Sequence, residues 1–215
     1  MTTTYKFDFG TGNPEEGYTK ITEQTQYEKS VGYGFSNVKN VHAKEREDST
    51  PLRRDFCIPL DTSFLVDVPD GTYRVSLLLG DEIADTETTI TYGEGRLVLH
   101  KQRTSAGHFT RTSFSAWIVD GQLKLSFTGR APRINALEIE STPTISTIFL
   151  AGDSTVTDQP SDGYPYAGWG QMLPLFVKAD AAVANYALSG RSSLSFIGEG
   201  VLDTIWSKIK PHDYL

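Results

Sequence analysis

Four apolar residues, Ile148 to Ala151, run straight into Gly152-Asp153-Ser154-Thr155. An unbroken apolar run bounded by small and polar residues fits a strand buried on both faces, and such strands belong to parallel sheets covered by helices. Glycine at the exit lets the backbone turn where a side chain would clash. Ser154 then falls just past the carboxyl end of the strand, where open α/β sheets place their ligand sites. Two readings fit these residues alone. Ser154 could be a nucleophile, or Asp153 and Ser154 could merely cap the next turn, as Asp and Ser often do.

The chain before this strand has a different pattern. Tyr5, Phe7 and Phe9 alternate with Lys6 and Asp8. Tyr73, Val75, Leu77 and Leu79 alternate strictly after the turn Pro69-Asp70-Gly71, and Leu123, Leu125 and Phe127 do so after Asp120-Gly121. A two-residue period marks half-buried strands. Further strands are expected over 52–60, 64–68, 86–92, 96–100 and 109–119, with long polar loops and short strands over 13–50. Asp-Gly between alternating runs predicts a hairpin joining 109–119 to 123–127. Many short strands with regular turns predict a β-sandwich over residues 1–141. The segment 142–146, rich in Ser, Thr and Pro, reads as a linker.

From residue 147 strands alternate with helices. A helix is expected from Trp169 to Phe176 and a second apolar strand over 181–188. Ile197, Val201, Leu202, Ile205 and Ile209 have the spacing of one long amphipathic helix, stopped by Pro211. His212 to Leu215 would then begin a third strand. About 70 residues of such structure bury too little apolar surface to stand alone. The rest of the sheet is therefore expected from a further segment or from another chain.

The net charge of −7 argues against nucleic-acid binding, and no apolar run approaches membrane-spanning length. The N-terminus lacks the charged-then-apolar pattern of a leader, so the chain is expected to be cytoplasmic, or secreted if a leader was removed. One cysteine, Cys57, and four scattered histidines give no metal-ligand spacing, and no cofactor is expected. Cys57 reads as a small buried apolar residue.

Two loops at strand ends can meet across a parallel sheet, Gly152-Asp153-Ser154 and Ser189-Gly190-Arg191. One offers a hydroxyl, the other a backbone N–H that a ligand can approach closely. Acyl transfer needs both a nucleophile and N–H donors for the developing oxyanion. Four features together, Gly152-Asp153-Ser154, Gly168-Trp169-Gly170-Gln171, Asn185-Tyr-Ala-Leu-Ser-Gly190-Arg-Ser and Lys210-Pro211-His212-Asp213-Tyr214, resemble the first half of an SGNH/GDSL-type serine hydrolase. The Gly-Trp-Gly-Gln and Ser-Gly-Arg-Ser forms resemble its rhamnogalacturonan acetylesterase branch, whose members are carbohydrate esterases of pectin degradation. Phe7-Asp-Phe-Gly10 and Ile134-Asn-Ala-Leu-Glu-Ile139 resemble the galactose-binding-like, jelly-roll sandwich that precedes the esterase domain in bacterial members.

The resemblance implies a sandwich over 1–141 followed, over 147–215, by the first half of a three-layer α/β hydrolase domain. It implies Ser154 as nucleophile and oxyanion donor, Gly190 as a second donor and Asp153 in support. It also implies an Asn donor in a Gly-x-Asn-Asp motif and a His base in an Asp-x-x-His motif, and neither motif occurs in these 215 residues. The implied substrate is an acetylated oligosaccharide, and these residues by themselves are expected to be inactive.

Arg191 could bind a substrate carboxylate or form a structural ion pair. Arg96, Lys101, Arg103 and Arg111 lie in a stretch without acidic residues, which could attract an acidic polysaccharide or form a solvated strand face. Tyr33, Tyr73, Phe114 and Trp117 could line a sugar site, with core packing as the default. No catalytic role is expected for His42, His100, His108 or His212. Two other functions stay open: a non-catalytic sugar-binding module, and the same hydrolase scaffold acting on acetylxylan, a lipid or a thioester.

Overall fold

A computed structural model describes residues 4–47, 50–160, 163 and 165–215; the start of the N-terminal stretch read for a leader lies outside them. Among the described residues, twelve strands precede the linker. They are β1 (Thr4–Phe9), β2 (Thr19–Ile21), β3 (Tyr33–Phe35), β4 (Val41–Glu45), β5 (Asp55–Pro59), β6 (Thr62–Asp67), β7 (Gly71–Asp81), β8 (Thr86–Tyr92), β9 (Arg96–Thr104), β10 (His108–Ile118), β11 (Gln122–Ala131) and β12 (Ala136–Ser141). One sheet runs β10-β7-β12-β1-β2 and the facing sheet β3-β6-β11-β8-β9, while β4 pairs with β5 alone. The expected strand over 52–60 begins instead with the short helix α1 (Pro51–Arg54), which Pro51 opens.

The alternating residues fill the space between the sheets. Phe7, Phe9, Phe64, Val75, Leu77, Leu79, Leu123, Leu125 and Phe127 are all buried in one cluster. Phe9, Phe35 and Phe64 meet edge to face at centroid distances of 5.0 to 6.0 Å, a favourable arrangement for aromatic quadrupoles.

The expected hairpin at Asp120-Gly121 is absent. β10 pairs with β7 in one sheet, and β11 pairs with β6 and β8 in the other. Alternation records which side chains face the core. That record is the same whether the next strand pairs beside the last or crosses to the facing sheet. The turn is tied to the neighbouring crossing instead. Gly121, at φ +72°, takes Asp70 Oδ1 on its N–H at 3.0 Å, and its carbonyl accepts from Val68 N at 3.0 Å.

After the linker, β13 (Thr147–Leu150) and β14 (Ala182–Asn185) pair in parallel, with the short helix α2 (Leu173–Val177) between them in sequence. Tyr214 makes a further parallel bridge to Ile148 on the other edge of β13. The long helix expected across 194–210 is two short ones, α3 (Ser193–Gly198) and α4 (Val201–Trp206). Gly200 separates them at φ +74°, a left-handed conformation that no helix continues through. The apolar spacing was real but spans the break, and Ile197 stays 58% exposed.

The small sheet packs on the chain's own sandwich. Trp117 from β10 meets Phe149 edge to face at 5.5 Å, and Phe149 stacks on Tyr186 at 6.0 Å. Ser115 N and Oγ donate to the carbonyls of Lys178 and Ala179, at 2.9 and 3.0 Å. Part of the cover expected from elsewhere is thus supplied within these residues.

Candidate functional site

The two loops meet. Parallel pairing continues past the strand ends, with Tyr186 N donating to Leu150 O at 2.9 Å and Leu188 N to Gly152 O at 3.0 Å. This register sets the Ser154 turn beside the Ser189-Gly190 turn. Gly152 is needed at the exit, because a Cβ there would lie 2.6 Å from Val156 Cγ2.

Asp153 organises the Ser154 turn. Its Oδ1 accepts from Thr155 N at 2.9 Å and from Thr155 Oγ1 at 2.8 Å, and its carbonyl accepts from Val156 N and Thr157 N, both at 3.0 Å. The backbone N–H of Thr155 and then its hydroxyl hold the Asp153 carboxyl below the usual range. Asp153 therefore does what a capping residue does and also fixes where Ser154 sits. Ser154 is exposed, and its carbonyl accepts from Gln159 Nε2 at 2.9 Å.

Among the described residues, neither the Ser154 nor the Gly190 N–H has a hydrogen-bond partner. Gly190 is exposed at φ +76°, with nothing within 4 Å of where a Cβ would be. Backbone conformation, rather than crowding, therefore selects glycine there. Two free N–H groups and a free hydroxyl at adjacent strand ends can serve a carbonyl oxygen and carbon.

The Gly168-Trp169-Gly170-Gln171 turn docks against the Ser154 turn. Trp169 N donates to Thr155 O at 2.8 Å. A Cβ on Gly168 would overlap the Thr157 carbonyl, and one on Gly170 the Val156 carbonyl. Buried Gln171 accepts from Gly168 N at 3.2 Å and donates to Glu94 O at 2.8 Å and Gln159 O at 3.0 Å.

Beneath the turn lies a polar chain that the sequence did not reveal. Asn185 Nδ2 donates to Val156 O and to Asp158 Oδ1, each at 2.8 Å, and Asp158 Oδ2 takes Arg96 Nε at 2.7 Å. Arg96 comes from the sandwich and lies over the Tyr92 ring at 5.4 Å. It is therefore neither a polysaccharide contact nor a solvated residue, since its side chain is only 15% exposed. Asp158 lies 62 positions away in sequence, so no local pattern joins the two.

The other basic residues of that stretch are spread out. Arg103 pairs with Glu87 at 2.8 Å and Arg111 with Glu138 at 3.4 Å, while Lys101 is exposed. Arg191 donates to Glu199 at 2.9 Å and to Ser189 O at 2.9 Å, so its fork is engaged within its own loop and helix.

Tyr73 and Phe114 are core residues, Tyr33 packs against Phe7, and Trp117 is a packing residue between sandwich and small sheet. All four histidines are exposed, and none lines the cleft around Ser154. Among the described residues, no group of three or more His, Cys, Asp or Glu could hold a metal ion. No helix among them is long and apolar enough to cross a membrane.

The family model described as beta-agarase/YXIM esterase-like, galactose-binding domain-like matches residues 5–140. The chain belongs to this family. It is 33% identical over 226 residues to the uncharacterized esterase YxiM of Bacillus subtilis, covering 98% of this chain and 57% of that protein. The crystal structure of YxiM matches with a TM-score of 0.55 at 31% identity, over 99% of this chain and 62% of the other. Rhamnogalacturonan acetylesterase RhgT of the same organism is 46% identical over 68 residues, 32% of this chain and 29% of that protein. The chain thus spans just over half of YxiM and under a third of RhgT.

Proposed function

We propose that residues 147–215 carry the nucleophile half of an SGNH/GDSL-type carbohydrate O-acetylesterase, with the β-sandwich as its companion domain. One observation carries the reading. Exposed Ser154 and the free N–H groups of Ser154 and Gly190 share adjacent parallel strand ends, registered by the Leu188 N to Gly152 O bond at 3.0 Å. Ser154 Oγ would attack an acetyl carbonyl while the two N–H groups stabilise the oxyanion. The sugar oxygen would leave as its hydroxyl carrying the proton taken from Ser154, and water would then release the acyl-enzyme as acetate and free Ser154. Likeness to YxiM and RhgT supports an ester substrate, and the name of RhgT points to acetylated pectic sugars.

The proposal includes a division of labour. No histidine lines the cleft, so on this reading the base that takes the Ser154 proton comes from elsewhere. We assign the base and the third oxyanion donor to a further segment or chain. The test is a fusion to a C-terminal hydrolase segment chosen to bear the Gly-x-Asn-Asp and Asp-x-x-His motifs that the resemblance implies. The fusion should hydrolyse p-nitrophenyl acetate, and the 215 residues alone should stay near background. Ser154→Ala in the fusion should lose roughly 10³-fold or more with little change in melting temperature, because an exposed hydroxyl leaves no buried partner behind. Retention of activity within tenfold would remove Ser154 from the mechanism.

A second reading has its own support. The family match lies wholly in the sandwich, so sugar binding by residues 5–140 without catalysis is consistent with it. Sugar binding by an isolated 1–141 polypeptide would favour that reading.

A further inference from the structure

Large aromatic side chains are normally buried, and their exposure beside a cleft calls for an account. Beside Ser154 is a cleft of about 560 Å³ lined by Ser154, Thr155, Gln159, Tyr166, Trp169 and Ser189. Tyr166 is 78% exposed and Trp169 is 52% exposed.

Trp169 is also held firmly. Its N–H is bonded to Thr155 O at 2.8 Å, and both flanking glycines are seated against backbone of the nucleophile turn. Gln171 ties the same turn to Gln159, whose amide in turn bonds Ser154 O. The backbone is buried at Gly168 and Gly170 while the indole between them faces solvent. A residue fixed at its backbone has no backbone motion to lose on binding and only two side-chain torsions left to order, which favours affinity.

We propose that Trp169 and Tyr166 form a stacking platform for a pyranose ring of the substrate, positioning the neighbouring sugar ester at Ser154. The aromatic face carries negative charge density and attracts the slightly positive C–H groups on the apolar face of a sugar. Polar groups at the rim suit the hydroxyls. The Ser189 hydroxyl and Gln159 Oε1 make no hydrogen bond among the described residues. A cleft lined by aromatic side chains with a few convergent polar groups is the usual make-up of a small-ligand site. The platform rests on the proposed esterase reading for its role in positioning an ester, but its affinity for sugar can be measured without turnover.

The experiment is calorimetric titration of the 215-residue protein with acetylated rhamnogalacturonan oligosaccharides, and with xylan and galactan oligosaccharides. Trp169→Ala and Tyr166→Ala should each weaken binding by about tenfold or more, which is about 1.4 kcal/mol. Trp169→Phe should recover part of the loss. Trp206→Ala, at a 54% exposed tryptophan on α4 that does not line the cleft, should leave binding unchanged. Thermal melts of all variants report on folding. Binding that is equal in Trp169→Ala and the parent, or no binding by any of the three sugars, would overturn the platform. Ser154→Ala in the catalytic fusion separates the two ideas: its loss of turnover speaks to the nucleophile, and undiminished sugar binding in that variant speaks to the platform.

Discussion

Removing Asp158 tests whether the sandwich and the Ser154 turn are physically coupled. Arg96 Nε lies 2.7 Å from Asp158 Oδ2, and the two side chains are only 15% and 12% exposed. At an effective dielectric of about 20 the bare attraction across such a gap is roughly 6 kcal/mol, most of it offset by taking both charges out of water. Breaking the pair from one side is not offset in that way. Asp158→Ala leaves the Arg96 guanidinium over the Tyr92 ring with a long bond, 3.5 Å, to Trp117 O. A buried charge stripped of its partner typically costs about 3–5 kcal/mol. The lower end applies here, because residual exposure admits some water. In a chain of this size about 3 kcal/mol lowers the melting temperature by roughly 6–12 °C.

Arg96→Met keeps the packing on Tyr92 and removes the charge. The double variant should therefore be more stable than Asp158→Ala alone, and the thermodynamic cycle should give a coupling above about 1.5 kcal/mol. The assay is thermal unfolding of the four proteins at one pH and salt concentration. A shift below about 2 °C for Asp158→Ala, or additive single effects, would refute the view that this pair joins the two parts.

Two further outcomes are expected. Asp8 is fully buried, and burial pushes its carboxyl up to about 6, despite the Glu15 N–H at 2.7 Å. A carboxyl near 3.9 when unfolded and 6 when folded binds more protons in the folded state between those values. Stability should therefore fall as pH rises from about 4 to 6, by up to about 3 kcal/mol, and then level off; Asp8→Asn should abolish that fall in a pH series of urea melts and be the more stable protein at pH 7.5, and an unchanged slope would count against a raised Asp8. The main core cluster draws only on residues between Phe7 and Ile139, so a 1–141 polypeptide should unfold in one cooperative transition; a broad melt would place the domain boundary elsewhere.

The sequence alone determined the residues that face each core and which small and polar residues stand at the strand exits. Period-two alternation put Val75, Leu77, Leu123 and Leu125 inside because a pleated strand has only two faces. The apolar run before Gly152-Asp153-Ser154 put the serine at a strand end, and β13 with β14 forms the parallel pair that this run called for. Pairing was decided by the tertiary structure. Asp120-Gly121 looked like a hairpin because local residues record a turn and not the sheet its next strand joins. The helix over 194–210 broke because apolar spacing says nothing about the backbone freedom of Gly200. The Arg96–Asp158–Asn185 chain and the exposed ring of Trp169 also emerged only in three dimensions. Ion pairs between distant segments, and the exposure of a ring whose backbone is buried, depend on which surfaces the fold brings together.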